Sequence, residues 1–245
     1  MARQCKQSRP PFVFRALATT VGWIMVILSK IYTRTGDHGS TRLVDNSVTA
    51  KSDLRVEAYG LIDQANASIG LAIALDTTTK VLSREVREAL GIIQNELFDV
   101  GADLANPLVA NPKWEPLRTV QESVDRLERW CDEFGDQLPT LRSFILPGGN
   151  PVGAQLHVCR TAIRTAERAA WRAAEIYGTE TSNDPETTPG GVNELAITYL
   201  NRLSDLLFIL SRAANKAGED SSDEVVWVPG GERNPSTQMT NDGQE

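Results

Sequence analysis

The sequence predicts an all-α protein, a bundle of five long antiparallel helices. Three observations carry that expectation. Apolar residues recur at helical spacing over residues 51–75, 79–104, 113–134, 151–177 and 191–217. Strand signals between these stretches are weak. The links at 106–112 and 178–190 are rich in Pro, Gly and polar residues, which suits neighbouring helices that reverse direction. A length of 245 residues with 41% hydrophobic content is enough for one substantial core.

The chain opens with a basic stretch, residues 1–29, that holds no Asp or Glu. Within it, residues 16–28 are apolar, about the length of a signal-peptide core and too short for a membrane span. No small-residue cleavage site precedes the next segment. Residues 1–29 therefore read as an N-terminal extension, with Met25 as the physiological start and residues 1–24 as upstream translated sequence. A basic targeting segment is the alternative. N-terminal sequencing of the native protein separates the two, since a mature chain containing Arg3 to Arg15 removes the Met25 start.

Next comes Ile31-Tyr32-Thr33-Arg34-Thr35-Gly36-Asp37-His38-Gly39-Ser40-Thr41. Two glycines allow close backbone approach to a ligand. Thr33, Thr35, Ser40 and Thr41 offer hydroxyls, and Arg34 offers a guanidinium fork suited to phosphate oxygens. Asp37 suits a Mg²⁺ ion or an orienting role within the loop. The Gly-Lys-Ser/Thr ending of a Walker A loop is missing. A Gly-rich surface turn is the competing reading.

The helical stretches 51–75, 79–104 and 113–134 follow. Then Phe144-Ile145-Leu146-Pro147-Gly148-Gly149 breaks the chain ahead of the 151–177 helix. On that helix Arg160, Arg164 and Glu167 or Arg168 share one face, while Leu156, Ile163, Ala166 and Ala170 supply packing. Stacked arginines repel unless an anion or carboxylates neutralise them. A surface ion-pair ladder with Glu167 and Glu175 would also do so. On the last helix Leu200, Leu203, Leu207 and Leu210 form an apolar stripe, with Asn201, Asp205, Phe208 and Arg212 on another side. Their hydrogen bonds fit structural or ligand roles equally. Residues 229–245 are polar and read as a disordered tail.

Charge and cysteines exclude several classes. A net charge of −7 argues against nucleic acid as the main partner. Cys5, Cys131 and Cys159 show no C-x-x-C spacing, so neither zinc nor a disulfide framework is expected. Cys159 reads as a buried apolar residue, His157 as a packed, hydrogen-bonded one, and His38 as a solvated loop residue.

Together these segments resemble the PduO-type ATP:cob(I)alamin adenosyltransferases. The likeness rests on Lys30-Ile31-Tyr32-Thr33-Arg34-Thr35-Gly36-Asp37, on Arg55-Val56-Glu57-Ala58-Tyr59-Gly60-Leu61-Ile62-Asp63 and on Phe144 through Gly149. It continues with Leu156-His157-Val158-Cys159-Arg160, Ala166-Glu167-Arg168 and Leu200 through Asp205, in order, along residues 30–228. The resemblance implies a ferritin-like five-helix domain over 30–228, assembled as a homotrimer with active sites between subunits. It implies transfer of the 5′-deoxyadenosyl group of ATP to the cobalt of reduced cobalamin, with Mg²⁺ assisting and triphosphate released. It also implies a cytoplasmic enzyme without a stable membrane span, partnered by a reductase that supplies Co(I) and by an adenosylcobalamin-dependent mutase.

Residue roles come from the same resemblance. Thr33, Arg34, Thr35 and Gly36 match the loop that wraps the phosphates, and Ser40 and Thr41 fall where that loop touches the nucleotide. Lys51 and Arg164 match ATP contacts. Thr165, Ala166, Glu167 and Arg168 match the helical ATP motif, and Asn201 matches a nucleotide-binding amide. Phe144 matches the aromatic that fills the lower axial face of cobalamin; an ordinary core aromatic is the alternative. Asp63 and Arg160 match a salt bridge across the subunit interface, and losing one partner of such a buried pair costs about 3–5 kcal/mol. Metal ligands are not assigned. The chain departs from the family pattern at Gln64, where a glutamate is usual, at Ala65, and at Thr165, where a second arginine is common. A non-catalytic corrinoid or ATP escort or sensor is the alternative function. The intact loop, Lys51, Arg164 and Asn201 favour catalysis over it.

Overall fold

Helix starts follow side-chain caps more closely than apolar periodicity. The computed structural model describes residues 32, 34–218 and 224–230. Its helices are α1 Leu54–Thr79, α2 Arg84–Leu104, α3 Gln121–Gly135, α4 Pro151–Tyr177 and α5 Glu194–Ala217. Four of them begin later than the periodicity suggests. Asp53, Ser83 and Asn193 each accept a backbone N–H of the first turn, which fixes the starts of α1, α2 and α5. Residues 113–120 stay out of α3 because Arg118 donates to Asn106 O at 2.5 Å, Pro107 O at 2.9 Å and the Asp103 carboxylate at 2.6 Å. At the far end of α1, Asp76 accepts from the N–H groups of Val81 and Leu82, and the helix runs on to Thr79.

The all-α expectation needs one correction. Before α1 stands a small antiparallel hairpin, β1 Ser40–Arg42 and β2 Val48–Ala50, with Thr41 opposite Thr49. Its turn uses Asn46 at φ 69°, a conformation that Asn adopts more readily than most residues. Asp45 supports the turn by accepting from Ser47 N at 2.9 Å.

Successive helices alternate in direction. Asn66 of α1 donates to Gln94 O of α2, Gln155 of α4 to Ser68 O of α1, and Asn201 of α5 to Glu167 of α4. One neighbouring pair is parallel, however. Along α3 and α5, Glu128 meets Arg202, and just beyond α3 Gln137 O accepts from Lys216. The links 105–120 and 136–150 let α3 pack on α5 rather than beside α4. The core is formed by residues such as Ile62, Ile69, Ile93, Leu156, Ile163 and Leu203, all buried. One of its polar members is Tyr199, which donates to Glu96, itself paired with Arg126.

The chain divides into a unit of residues 1–34 and a unit of residues 35–245. In the first, the Arg34 guanidinium lies 5.5 Å over the Tyr32 ring. The expectations for residues 1–29, for Met25, for Thr33 and for 231–245 of the tail lie outside the described residues. Among the described residues no helix is long and apolar enough to cross a membrane.

Candidate active site

The loop half of the site is built on Asp53. Besides capping α1, its carboxylate accepts from Thr49 Oγ1 at 2.7 Å and from Tyr177 Oη at 2.6 Å. Burial would raise its pKa, but the Tyr177, Thr49 and backbone hydrogen bonds prevail and hold it low. Tyr177 in turn is pushed up to about 12, by burial first and then by Asp53. The hairpin is thereby fastened to the start of α1 and the end of α4. Burial and then Asp53 raise the pKa of Tyr59 on α1, with Thr41 opposing. The fold brings Lys51 back onto the Gly-rich turn. Its N–H donates to Gly39 O at 2.8 Å, and a Cβ at Gly36 would lie 3.0 Å from Lys51 Cε. Thr35, Gly36, Ser40, Thr41 and Lys51 are thus brought together.

Arg55 supports this end from below. It is buried, stacks 4.6 Å over the Tyr177 ring, and donates to the carbonyls of Leu104, Gly190 and Gly191. Burial lowers its pKa, with the nearby Tyr177 and Asp53 opposing.

The helix half lies on α4 and α5. Arg160 and Arg164 face a cavity of about 210 Å³ with Ser204, Asp205, Phe208 and Ile209. The alternative, an ion-pair ladder with Glu167 and Glu175, does not form among the described residues. Glu167 accepts from Asn201 at 3.1 Å, and Asn201 also accepts from Arg202 at 3.2 Å. Among the described residues no carboxylate lies within ion-pair distance of Arg160 or Arg164, and the Arg160 Nε is buried without a partner. Burial and then Arg164 lower the Arg160 pKa. The arrangement is suited to an incoming anion. Thr165 donates to Thr161 O and accepts from Arg168, while Ala166 is wholly buried and packs in the core. Asp63 is exposed on α1 and does not pair with Arg160 within the chain.

The Phe144 turn closes the far end. Phe144 is 79% exposed, so it is not a core aromatic. Asn215 of α5 pins the turn by donating to Gly148 O at 2.9 Å and accepting from Asn150 N at 3.1 Å. Gly149 takes φ 106°, where an L side chain is strained. His157 is buried, as expected, 3.2 Å from Ser211 Oγ, and burial followed by Arg160 lowers its pKa. Burial also pushes Cys159 up to about 12 and Cys131 up to about 11, so both remain thiols near neutral pH.

Sequence reasoning did not single out Asp53, Tyr177 or Asn215. Asp53 carried a readable signal, an N-cap residue just ahead of a helical run. The other two act through long-range contacts that no local pattern announces.

Comparison with known proteins gives a consistent picture. The profile of the cobalamin adenosyltransferase family matches residues 31–214. A corrinoid adenosyltransferase of Mycobacterium tuberculosis is 51% identical over 211 residues, covering 86% of this chain and 99% of that protein. One from Bacillus subtilis is 40% identical over 186 residues, covering 76% of this chain and 86% of the other. Among solved structures, a variant PduO-type ATP:corrinoid adenosyltransferase from Lactobacillus reuteri complexed with cobalamin and ATP superimposes with a TM-score of 0.66. It is 30% identical and covers 82% of this chain and all of its own, 100%.

Proposed function

Because the chain belongs to the cobalamin adenosyltransferase family and is an ATP:corrinoid adenosyltransferase, we propose that its active site joins the 35–51 loop of one subunit to the α4–α5 face of a neighbour in a homotrimer. The observation that carries this reading is a separation. Lys51 and the hairpin sit at the Tyr177 end of α4. Arg164 lies about 20 Å back along the same helix, too far for both to grip one triphosphate from a single chain. The apolar side chains left in water agree. Leu71 of α1 and Val158 of α4 are each about half exposed, as are helix faces that a second copy covers. Across such an interface Asp63 is available to the unpartnered Arg160.

The chemistry needs no protein nucleophile. Co(I) attacks C5′ of ATP, the Co–C bond forms as C5′–O breaks, and the electron pair leaves with triphosphate. The protein aligns the reactants and neutralises the departing charge. Lys51, Arg164 and the backbone around Thr35, Gly36, Ser40 and Thr41 hold the phosphates. Thr33 and Arg34 keep the phosphate task that the resemblance gives them. Thr165, Ala166, Glu167, Arg168 and Asn201 complete the nucleotide side, Ala166 by packing. Mg²⁺ would be carried by the triphosphate, with Asp37 as the protein carboxylate in the loop, because Mg²⁺ commonly takes one or two carboxylates and keeps its waters. When bound, the ion offsets phosphate charge. Phe144 covers the lower axial face of the corrinoid and excludes the ligand that makes Co(II) hard to reduce. The enzyme works in the cytoplasm, where ATP and reductant are at hand.

The test is anaerobic turnover with chemically reduced cobalamin, ATP and Mg²⁺. Equal amounts of adenosylcobalamin and triphosphate are expected. Tight binding of either substrate without product would return the chain to an escort or sensor role.

A further inference from the structure

The turn that carries Phe144 is held by a segment that follows α5. Leu146 N donates to Val225 O at 2.8 Å, Trp227 N donates to Phe144 O at 2.8 Å, and Ile145 stands opposite Val226 in an antiparallel bridge. This register puts Phe144 beside Trp227, and Leu146 beside Val225, on one face. The Phe144 and Trp227 rings meet edge to face with centroids 6.3 Å apart and planes at 75°. The segment is fastened where it begins. Buried Arg212 of α5 donates to Glu224 at 2.5 Å and 3.0 Å and to Pro139 O at 2.8 Å.

Two strands this short have little stability of their own, so their placement depends on that fastening. The core does not explain the pairing, because Phe144 stands largely in water and Trp227 is nearly half exposed. What the pairing does supply is direction. An exposed phenylalanine turns freely between rotamers, and an edge-to-face neighbour with a hydrogen-bonded backbone restricts it.

We propose that residues 224–228 are a positioning strap for Phe144. Trp227, fastened through Glu224 and Arg212, fixes the Phe144 ring against the lower face of the corrinoid. This rests on the role given to Phe144 above. Trp227 is a positioning residue: without it, Phe144 leaves the cobalt face for part of the time and an axial ligand returns. ATP binding, carried by the loop and Arg164, is not touched.

The experiment uses the full-length protein with cob(II)alamin and ATP under anaerobic conditions. Electron paramagnetic resonance reads the four-coordinate cobalt fraction, calorimetry reads ATP affinity, and melting reads the fold. Trp227→Ala is expected to lower the four-coordinate fraction about threefold to tenfold with ATP affinity within about twofold of the parent. Trp227→Phe is expected to restore most of it, and Glu224→Gln to lose part of it. An unchanged fraction in Trp227→Ala overturns the strap, as does a loss that Trp227→Phe does not repair. An unchanged Glu224→Gln overturns the fastening. If the parent protein makes no adenosylcobalamin, the functional reading fails and the strap with it. If the parent turns over and Phe144→Ala alone loses the signal, only the strap fails.

Discussion

Arg160 and Arg164 stand one helical turn apart, facing the same cavity; Asp205 lines it too, but among the described residues no carboxylate comes within ion-pair distance of either. A pair of cations held like this stores repulsion that an anion relieves. Arg164→Ala should therefore lower kcat by about a hundredfold or more, the usual loss when a donor to developing charge is removed. Its melting temperature should stay near that of the parent, because Arg164 is exposed and supports no packing. Near-normal turnover would take Arg164 out of the phosphate site. His157 makes a different prediction. Its pKa is depressed from 6.5 by burial and then by Arg160, against Glu224. The unfolded chain then binds the proton more readily than the native one. Stability should be full above pH 6.5 and fall as pH drops toward the folded-state pKa. Melting temperatures between pH 7.5 and 5 should show that fall in the parent and a shallower one in His157→Gln; parallel curves would assign it to other groups.

At the scale of elements, the join between the start of α4 and the end of α5 is the most constrained. A Cβ at Gly153 would lie 1.9 Å from Asn215 Oδ1, and Asn215 holds the Phe144 turn through Gly148 and Asn150. Gly153→Ala must expel that side chain, so it should cost about 1–3 kcal/mol in denaturant unfolding at fixed protein concentration. Combined with Asn215→Ala, which removes the obstacle, the losses should be clearly less than additive. Simple additivity would mean that the two residues do not compete for the same space. This join also shows what the sequence left illegible. The five helices were readable because each has a long apolar face with its own period. The 151–177 span was readable to its ends, since Asn150 caps a Pro-started helix. The hairpin was not. Its strands are three residues each, and only Asp45-Asn46 marks the turn. The missing first turns at 113–120 depend on Arg118, whose partners come from the preceding link. Among the candidate site residues, the loop and the paired arginines could be proposed from residue type and spacing. Asp53, Tyr177, Asn215 and Trp227 matter only once distant segments have met.

At the scale of the whole molecule, the loop half and the helix half lie at different levels of one bundle. A subunit that lacks one half should therefore be complemented by a subunit that lacks the other. Lys51→Ala spoils the loop and leaves the α4–α5 face intact; Arg164→Ala does the reverse. If each site takes its loop from one subunit and its helices from the next, random mixing of the two variants makes about one site in four fully native in a closed ring. Mixed protein, unfolded and refolded together, should recover up to about a quarter of the parent turnover, while each variant alone stays low. The same mixture combined without subunit exchange should stay low as well, which separates assembly from an artefact of refolding. Should the exchanged mixture remain at the level of the single variants, both halves would have to act within one chain. The bundle would then have to close Lys51 onto Arg164 by a rearrangement along α4 of about 20 Å.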